Sequence, residues 1–330
     1  MTVLTRDNIQ LSSLIKAHVE RAETGIAINC NRSELPTEVM TFIQESRAVS
    51  TRRAYASDLQ QFMEWGGTIP ATSEMIAAYI ASQADKLKPA TINRRLASLA
   101  VAHGAKGLPS PTSSELVKSV LKGIRRSKGI AQVQAKPLLR DDLFIVLDAM
   151  GDSLKDTRDR ALLLLGFAGA FRRSELIGLD VGDIEFVRHG LVITLRHSKV
   201  DPEGRGRKIG IPHGRTKHCP VKAIEIWLQQ ATICEGPIFS PISRHDHKAS
   251  QRLSGEAVAE VIRTRLENAG MNPVGFSGHS LRSGFATSAA MAGVASWRIR
   301  KQTGHASDAM LGKYVRDGEL FSENVAGTLL

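Results

Sequence analysis

The chain has 330 residues, 42% hydrophobic and 23% charged, an ordinary balance for a globular protein of about two domains. No apolar run is long enough to cross a membrane and the N-terminus lacks a signal-peptide core, so we expect a cytoplasmic protein. The net charge of +11 divides into +6 over residues 1–135 and +5 over residues 136–330. This spread suits a protein that lies along a polyanion. The 5% aromatic content favours contacts to a duplex backbone over single-strand stacking.

The cysteines and several histidines are the candidate metal ligands of the chain. Three widely spaced cysteines without a C-x-x-C pair indicate free thiols in a reducing compartment: Cys30, Cys219 and Cys234. The histidines that raise the alternative of a zinc site near Cys219 are His213, His218, His245 and His247. Their spacing matches no structural zinc pattern and they lie in loop-like sequence. The sequence therefore predicts no metal and no cofactor.

The chain divides by pattern into four segments. Residues 1–35 are predicted as an N-terminal extension with one weak helix, and residues 36–127 as a domain of four or five helices. Residues 128–137 carry charge, Gly and Pro with little apolar content, which is typical of a linker. Residues 138–330 mix helical and strand patterns. We therefore expect a mostly α fold with a small antiparallel β-sheet in the second domain.

The helical domain has capping residues at regular intervals. Its predicted helices begin near Pro36, Ser50, Thr72 or Ser73, Pro89, and Ser113 or Ser114. The side chains predicted to face its core are Tyr55, Leu59, Phe62, Met63, Met75, Ile76, Tyr79, Ile80, Ile92, Leu96, Leu99, Leu116, Val117, Val120, Leu121 and Ile124. The predicted phosphate contacts are three basic pairs: Arg52 and Arg53, Arg94 and Arg95, and Arg125 and Arg126. The alternative for each pair is a solvated face without a partner.

The second domain has a strand pattern between helical runs. Its helices are predicted at 140–150, 157–170, 221–230, 254–269, 280–292 and around Tyr314. The run ALLLLGFAGA in the second of these is apolar all round, so that helix is predicted to be buried. Its short strands are predicted at 183–187, 191–196 and 208–211.

One stretch, residues 278–314, carries residue types suited to phosphate chemistry. His279 and Arg282 are three positions apart, so they share one face of a helix. The guanidinium fork fits a phosphate, and the imidazole both hydrogen-bonds and moves a proton near neutral pH. Tyr314, nine residues after His305 of a Gly-His pair, is a candidate nucleophile. A lone His-x-x-Arg pair is common, so this stretch needs support from elsewhere in the chain.

Three further residues are candidates for the same site. Arg172 would supply a second guanidinium, with a surface salt bridge as the alternative. Glu175, three residues on, would orient a basic neighbour, or is simply an acid in the first turn of a helix. Lys199 lies in the turn-rich link between two strands and would reach into a groove, or is an exposed turn lysine.

Taken in order, these motifs resemble the tyrosine recombinase, or phage integrase, family, which includes Cre-type and Xer-type recombinases. The resemblance covers roughly residues 36–325, with the helical domain similar to the family's core-binding domain and residues 138–330 similar to its catalytic domain. The matching residues are Arg172, Glu175, Lys199, His279, Arg282, His305 and Tyr314. Three departures stand out: Arg173 doubles the first arginine, Gln302 and Thr303 precede the Gly-His pair where relatives often carry an apolar residue, and the hairpin is long. This hairpin also holds Arg205, Arg207 and Lys208.

The resemblance implies a site-specific recombinase. Tyr314 would attack a phosphodiester of duplex DNA, forming a 3′-phosphotyrosine and releasing a 5′-hydroxyl. Arg172 and Arg282 would hold the non-bridging oxygens, while Lys199 would protonate the leaving oxygen. His279 would be the proton acceptor or donor for Tyr314, His305 would add a further hydrogen bond, and Glu175 would support the site. No metal or cofactor is implied.

The resemblance also implies an assembly. Strands would be exchanged through a Holliday junction within a tetramer, a dimer on each DNA site, in the cytoplasm and on the nucleoid. The tail after Tyr314 would pack into a neighbouring subunit, or else on its own domain. Two other functions stay open: a topoisomerase or telomere resolvase with the same chemistry, and a catalytically silent DNA-binding regulator. Whether accessory proteins take part is not decided by the sequence.

Overall fold

The computed structural model describes residues 41–43, 45–129, 134–196, 206–305 and 307–318. Several predictions lie outside these residues: the extension 1–35, most of the helix from Pro36, part of the linker 128–137, Lys199 and the tail after residue 318. The chain forms two compact units, Met1–Gln132 and Val133–Leu330. No helix among the described residues is long and apolar enough to span a membrane.

The first unit is helical. Its helices are α1 (Val49–Glu64), α2 (Ser73–Ser82), α3 (Pro89–Ala105) and α4 (Glu115–Lys128), with a short 3-10 turn at Pro111–Ser113. Thr72 and Ser114 cap α2 and α4, because each side chain accepts a backbone N–H of the first turn. Pro89 opens α3, where its fixed φ suits the first helical position.

The core of the first unit confirms most of the predicted inward positions. Its fully buried members include Phe62, Ile76, Tyr79, Ile92 and Val117. Two predicted positions are wrong, because Met63 is 59% and Leu116 is 44% exposed. Each of the two is adjacent in sequence to a buried residue, and successive residues of a helix point about 100° apart. One of two neighbouring apolar residues therefore faces the solvent.

Arg95 was predicted to contact phosphate, and the structure contradicts this. The side chain is buried, and its guanidinium donates to the Tyr79 hydroxyl at 2.6 Å and also to Gln61. Its neighbour Arg94 forms two hydrogen bonds, of 2.9 and 3.0 Å, with the buried Asp58. Arg95 therefore has a structural role in the interior of the first unit. A buried guanidinium is costly unless it is hydrogen-bonded, and here other side chains of the unit supply the hydrogen bonds.

The second unit is built around a buried helix. Its helices are α5 (Arg140–Asp148), α6 (Leu154–Ala168), α7 (Arg173–Gly178), α8 (Pro220–Gln230), α9 (Gly255–Asn268), α10 (Ser280–Met291), α11 (Ser296–Thr303) and α12 (Asp308–Gly318). Residues 161–165 of α6 are all buried, and α6 packs against α8 and α10. Ser153 and Asp156 form a capping box at its start.

A small sheet lies beside these helices. Its strands are β1 (Ile184–Val187), β2 (Gly190–Leu195) and β3 (Arg207–Pro212), antiparallel and in the order β1-β2-β3. In register, Leu191 pairs with Ile211 and Ile193 with Ile209, which places four buried side chains on one face. The predicted fold class, mostly α with a small antiparallel sheet, is confirmed.

Two short helices were not among the predicted helix ranges: α7, which was only an alternative reading of Glu175, and α11. In α11 only Ile299 and Thr303 are buried, and Trp297 is 60% exposed. Eight residues with two buried positions carry too little periodicity to be recognised in a sequence. This omission matters, because α11 ends at the Gly-His pair.

Removal of the buried Asp58 carboxylate should destabilise the first unit strongly. We expect Asp58→Ala to lower the free energy of unfolding by about 3 kcal/mol or more, because it leaves Arg95 buried without a counter-charge. Urea unfolding of the full chain measures this. The control is Glu115→Ala, which removes an exposed ion pair with Lys118 at 2.8 Å and should cost about 0.5 kcal/mol or less. Equal losses in the two variants would contradict the structural role of Asp58.

Candidate active site

Helix α10 is held in place by the start of the second unit. A Cβ added to Gly284 would lie 1.8 Å from the carbonyl oxygen of Leu138, so only glycine permits this approach. The Leu138 N–H donates to the Ser280 carbonyl at 2.9 Å, and the Arg140 N–H donates to the Ser288 hydroxyl at 3.0 Å. These contacts fix the helix that carries Arg282 in its first turn and His279 as its N-cap.

Arg282 is the most deeply placed charge of the site, with 1% of its surface exposed. Its Nη1 donates to the carbonyls of Ala170, at 2.7 Å, and Thr303, at 2.5 Å. Ala170 has a φ of 47°, and this left-handed turn directly follows the buried helix α6. The Nη2 atom is buried and has no hydrogen-bond partner among the described residues. That atom is free to bind an oxygen of a substrate.

Burial also sets the charge state of Arg282. Desolvation, followed by the positive charge of Arg172, lowers the pKa of Arg282 to about 10, although Glu175 and Tyr314 oppose the shift. The guanidinium therefore remains protonated at neutral pH, and its charge is poorly screened.

Arg172 and Glu175 form the pair predicted from the sequence. The Arg172 Nη1 donates to Glu175 Oε1 at 2.6 Å, and the Arg172 backbone N–H donates to the other carboxylate oxygen at 2.9 Å. Glu175 is buried, so it orients Arg172 at the start of α7. Of the two adjacent arginines, Arg172 is the one that pairs with Glu175, because the Arg173 side chain lies against Gly255 and Gly278 instead.

The C-terminus of α11 gathers three arginines. The carbonyls of Lys301 and Gln302 accept from Arg207 Nη1 at 3.2 and 2.9 Å. The next two carbonyls continue the pattern, since Thr303 accepts from Arg282 at 2.5 Å and Gly304 from Arg172 at 3.4 Å. The last carbonyls of a helix have no partners within it and carry its negative partial charge. This helix end therefore holds three like charges together.

Arg207 belongs to this site and was not among the predicted site residues. It begins β3, on the same face as the buried Ile209 and Ile211. Desolvation lowers the pKa of Arg207, as does the charge of Arg172, while Glu175 raises it. The alternation of side chains along β3 could have revealed Arg207 from the sequence. An arginine two positions before a buried isoleucine, on the same face of a strand, points toward the interior.

His305 follows the end of α11 and is 7% exposed. Its Nδ1 lies 2.8 Å from the Thr303 hydroxyl, and its ring centre lies 5.6 Å from that of Tyr314. Desolvation lowers the pKa of His305 to about 4, and the charges of Arg282 and Arg172 add to the shift. The ring is therefore neutral near pH 7 and carries one N–H.

Tyr314 and His279 face each other. Tyr314 lies on α12 and packs against a small cluster that includes Ala286, Ile299 and Leu311. Its hydroxyl is 2.8 Å from His279 Nε2. His279 keeps an exposed edge, yet partial desolvation of its ring lowers its pKa, and the charges of Arg282 and Arg172 lower it further. A neutral imidazole beside a phenol can accept the phenolic proton.

The structure thus brings six of the seven predicted residues into one site: Arg172, Glu175, His279, Arg282, His305 and Tyr314. The seventh, Lys199, lies outside the described residues. Among the described residues, no group of three or more His, Cys, Asp or Glu side chains is arranged to hold a metal ion.

Comparison with known proteins assigns this chain to a family. Residues 138–319 match the phage integrase family. The chain is also 37% identical over 304 residues to an integrase/recombinase xerD homolog of Selenomonas ruminantium, covering 89% of each chain. The chain belongs to the phage integrase family. Members of this family are tyrosine recombinases, so the protein is a DNA breaking-rejoining enzyme.

Other similar proteins agree with this tyrosine recombinase assignment. The recombinase cre of Escherichia phage P1 is 25% identical over 334 residues, covering 93% of this chain and 95% of that protein. Among solved structures, a lambda integrase dimer bound to a COC' core site has a TM-score of 0.57 at 17% identity, covering 96% of this chain and 89% of that chain. XerH bound to palindromic difH substrate also has a TM-score of 0.57, at 18% identity, covering 82% and 76%. These two structures share the fold.

The neutral His305 should make the stability of this tyrosine recombinase depend on pH. The pKa of His305 is about 4 in the folded chain and about 6.5 in the unfolded chain. Between these two pH values the unfolded state binds a proton that the folded state does not, so the free energy of unfolding falls as the pH drops. Between pH 7 and pH 5 we expect a loss of about 2 kcal/mol from this residue. The unfolding free energies of the parent and of His305→Gln at both pH values isolate the effect. An equal pH dependence in both proteins would contradict it.

Gly304 should be required for two reasons: its left-handed backbone conformation and the close approach of the Arg207 guanidinium to its Cα. It has a φ of 66°, and an added Cβ would lie 2.8 Å from the Arg207 guanidinium. The matched control is Gly293, with a φ of 71° and open space around it. We expect Gly293→Ala and Gly304→Ala each to lose about 1 kcal/mol of stability.

Only Gly304→Ala should also slow single-turnover DNA cleavage, by roughly tenfold to a hundredfold, because it displaces the guanidinium of Arg207. Equal cleavage rates in the two variants would show that the contact is unimportant.

Proposed function

We propose that this tyrosine recombinase is a site-specific recombinase that cleaves and rejoins duplex DNA through a 3′-phosphotyrosine at Tyr314. The observation that carries the proposal is the 2.8 Å hydrogen bond between the Tyr314 hydroxyl and His279, beside the arginine cluster. A phenol next to a neutral imidazole, in a site of net positive charge, suits an attack on a phosphodiester.

The proposed cleavage step is a direct displacement at phosphorus. The Tyr314 oxygen bonds to the phosphorus and its proton passes to His279 Nε2. The bond from phosphorus to the 5′ oxygen breaks, and Lys199 donates a proton to that oxygen. The products are a 3′-phosphotyrosine and a 5′-hydroxyl. Rejoining is the reverse reaction with the 5′-hydroxyl of a partner strand, so the phosphodiester energy is kept and no ATP is required.

The arginines stabilise the charge that develops on the phosphoryl oxygens. The buried Nη2 of Arg282 supports this role, because it has no partner among the described residues. Arg172, oriented by Glu175, would hold the second non-bridging oxygen, and His305 would donate a further hydrogen bond. Fixed donors in a desolvated site act strongly, since they need no reorganisation during the reaction.

Duplex DNA is the proposed partner of both units. We assign residues 36–127 as a core-binding domain, 128–137 as a linker and 138–330 as the catalytic domain. The exposed Arg52 and Arg53 on α1 and Arg125 and Arg126 on α4 support phosphate contacts by the first unit. Arg94 also qualifies, because its side chain is 48% exposed despite its bond to Asp58. The similar lambda integrase structure is bound to a COC' core site, and the XerH structure to a palindromic difH substrate, which supports this assignment.

The proposed assembly is a dimer on each site and a tetramer on two sites, with strand exchange through a Holliday junction on the nucleoid. The similarity to recombinases such as cre supports it. The tail after residue 318 would then pack into a neighbouring subunit. A chain truncated after residue 318 that still assembles tetramers on DNA would exclude this role for the tail.

Covalent capture tests the proposed chemistry. The purified protein is mixed with fragmented DNA from around its own gene in the presence of chelator, quenched in detergent, and the protein-linked DNA ends are sequenced. We expect capture by the parent and by Tyr55→Phe, a tyrosine control in the first unit, and none by Tyr314→Phe. Capture by Tyr314→Phe would overturn the assignment of the nucleophile.

The same material separates the alternative functions. Relaxation of any supercoiled plasmid, without a defined pair of sites, would indicate a topoisomerase. Binding to a nicked substrate without any adduct would indicate a catalytically silent regulator. A recombinase needs two copies of the captured site and exchanges their flanks.

A further inference from the structure

Thr303 is a buried polar residue that the proposed chemistry does not use. It is the last residue of α11 and has no exposed surface. Its hydroxyl lies 2.8 Å from His305 Nδ1 and 2.8 Å from the carbonyl of Ile299. A hydroxyl has one hydrogen, so it donates to only one of these two acceptors at a time.

The choice between these acceptors fixes the tautomer of His305. If the hydroxyl donates to Ile299, the imidazole proton must sit on Nδ1 to donate to Thr303, and Nε2 is left with a lone pair. If the hydroxyl donates to Nδ1, the proton sits on Nε2. Since the ring is neutral at pH 7, there is no third state in which both nitrogens donate.

A bound phosphate distinguishes the two states. A lone pair on Nε2 repels an anionic oxygen, whereas an N–H on Nε2 donates to it. The carbonyl of Ile299 belongs to a helix and accepts a backbone N–H in any case, so it does not require the hydroxyl.

We propose that Thr303 is a positioning residue that donates its hydroxyl hydrogen to His305 Nδ1 and so presents Nε2–H to the phosphate oxygen. This inference rests on the proposed role of His305 as a hydrogen-bond donor to the substrate. It adds a residue that acts through His305 without contacting DNA.

Nitrogen-15 NMR of the histidine rings tests the tautomer directly. The sample is the Tyr314→Phe protein bound to the duplex recovered by covalent capture, with His305 assigned from its loss in His305→Gln. If no duplex is captured, inorganic phosphate is the probe. We expect a protonated Nε2 and an unprotonated, hydrogen-bonded Nδ1. A protonated Nδ1 in the complex would overturn the proposal.

Matched variants test the consequence for the reaction. Thr303→Val keeps the shape and removes the hydroxyl, while Thr303→Ser keeps the hydroxyl. We expect Thr303→Val to slow single-turnover cleavage by about tenfold to a hundredfold and to change the His305 nitrogen shifts. Thr303→Ser should retain both properties of the parent.

Each outcome decides a separate question. Parent-like cleavage and parent-like shifts in Thr303→Val would overturn the role of Thr303 and leave the nucleophile intact. Capture of DNA by Tyr314→Phe would instead overturn the proposed function. Equal slowing by Thr303→Val and Thr303→Ser, with the same His305 shifts in both, would mean that Thr303 acts only in packing.

Discussion

The site depends on the carbonyls at the end of α11. Three guanidinium groups repel one another strongly in a partly desolvated place. Here Arg207, Arg282 and Arg172 each donate to successive carbonyls from Lys301 to Gly304, where the helix has its negative end. Only one buried carboxylate, that of Glu175, accompanies them in the described hydrogen bonds. The cluster therefore keeps a net positive charge and can bind an anion.

Arginines elsewhere in the protein are neutralised differently. In the first unit, Asp58 accepts from Arg94 and lies 3.8 Å from Arg95. In the second unit, the buried Asp159 pairs with Arg158 and Arg265, at 2.6 Å each. A buried carboxylate shared by two arginines offsets part of the charge in each place, which suits a structural role. Carbonyl dipoles hold the site arginines in position without cancelling them, which suits an electrostatic role in phosphoryl transfer.

The two histidines of the site are neutral for a common reason. Desolvation and the neighbouring arginines lower the pKa of both His279 and His305. Their surroundings then give them different tasks. His279 faces the Tyr314 hydroxyl and can accept its proton, whereas the Nδ1 atom of His305 faces the Thr303 hydroxyl. In the proposed mechanism, the arginines that would hold the phosphate therefore also favour the neutral form of both imidazoles.

Much of this protein was determined by its sequence alone. Local spacing was sufficient for the helix start at Pro89, for the starts of α2 and α4 to within one residue, and for the three strands, because caps and alternation depend on neighbouring residues. The order of the motifs around Arg172, His279, Arg282, His305 and Tyr314 was sufficient for the family, since it reflects shared chemistry.

Other features were decided only by the tertiary structure. The burial of Arg95, the choice of Arg172 over Arg173, and the place of Arg207 depend on groups far away in the chain. Helix α11 was not predicted, because its function lies in its terminal carbonyls and not in an apolar face. The pattern of apolar and polar residues in a sequence indicates which surfaces are buried. It does not indicate where backbone carbonyls point, and the arginines of this site are held by the terminal carbonyls of α11.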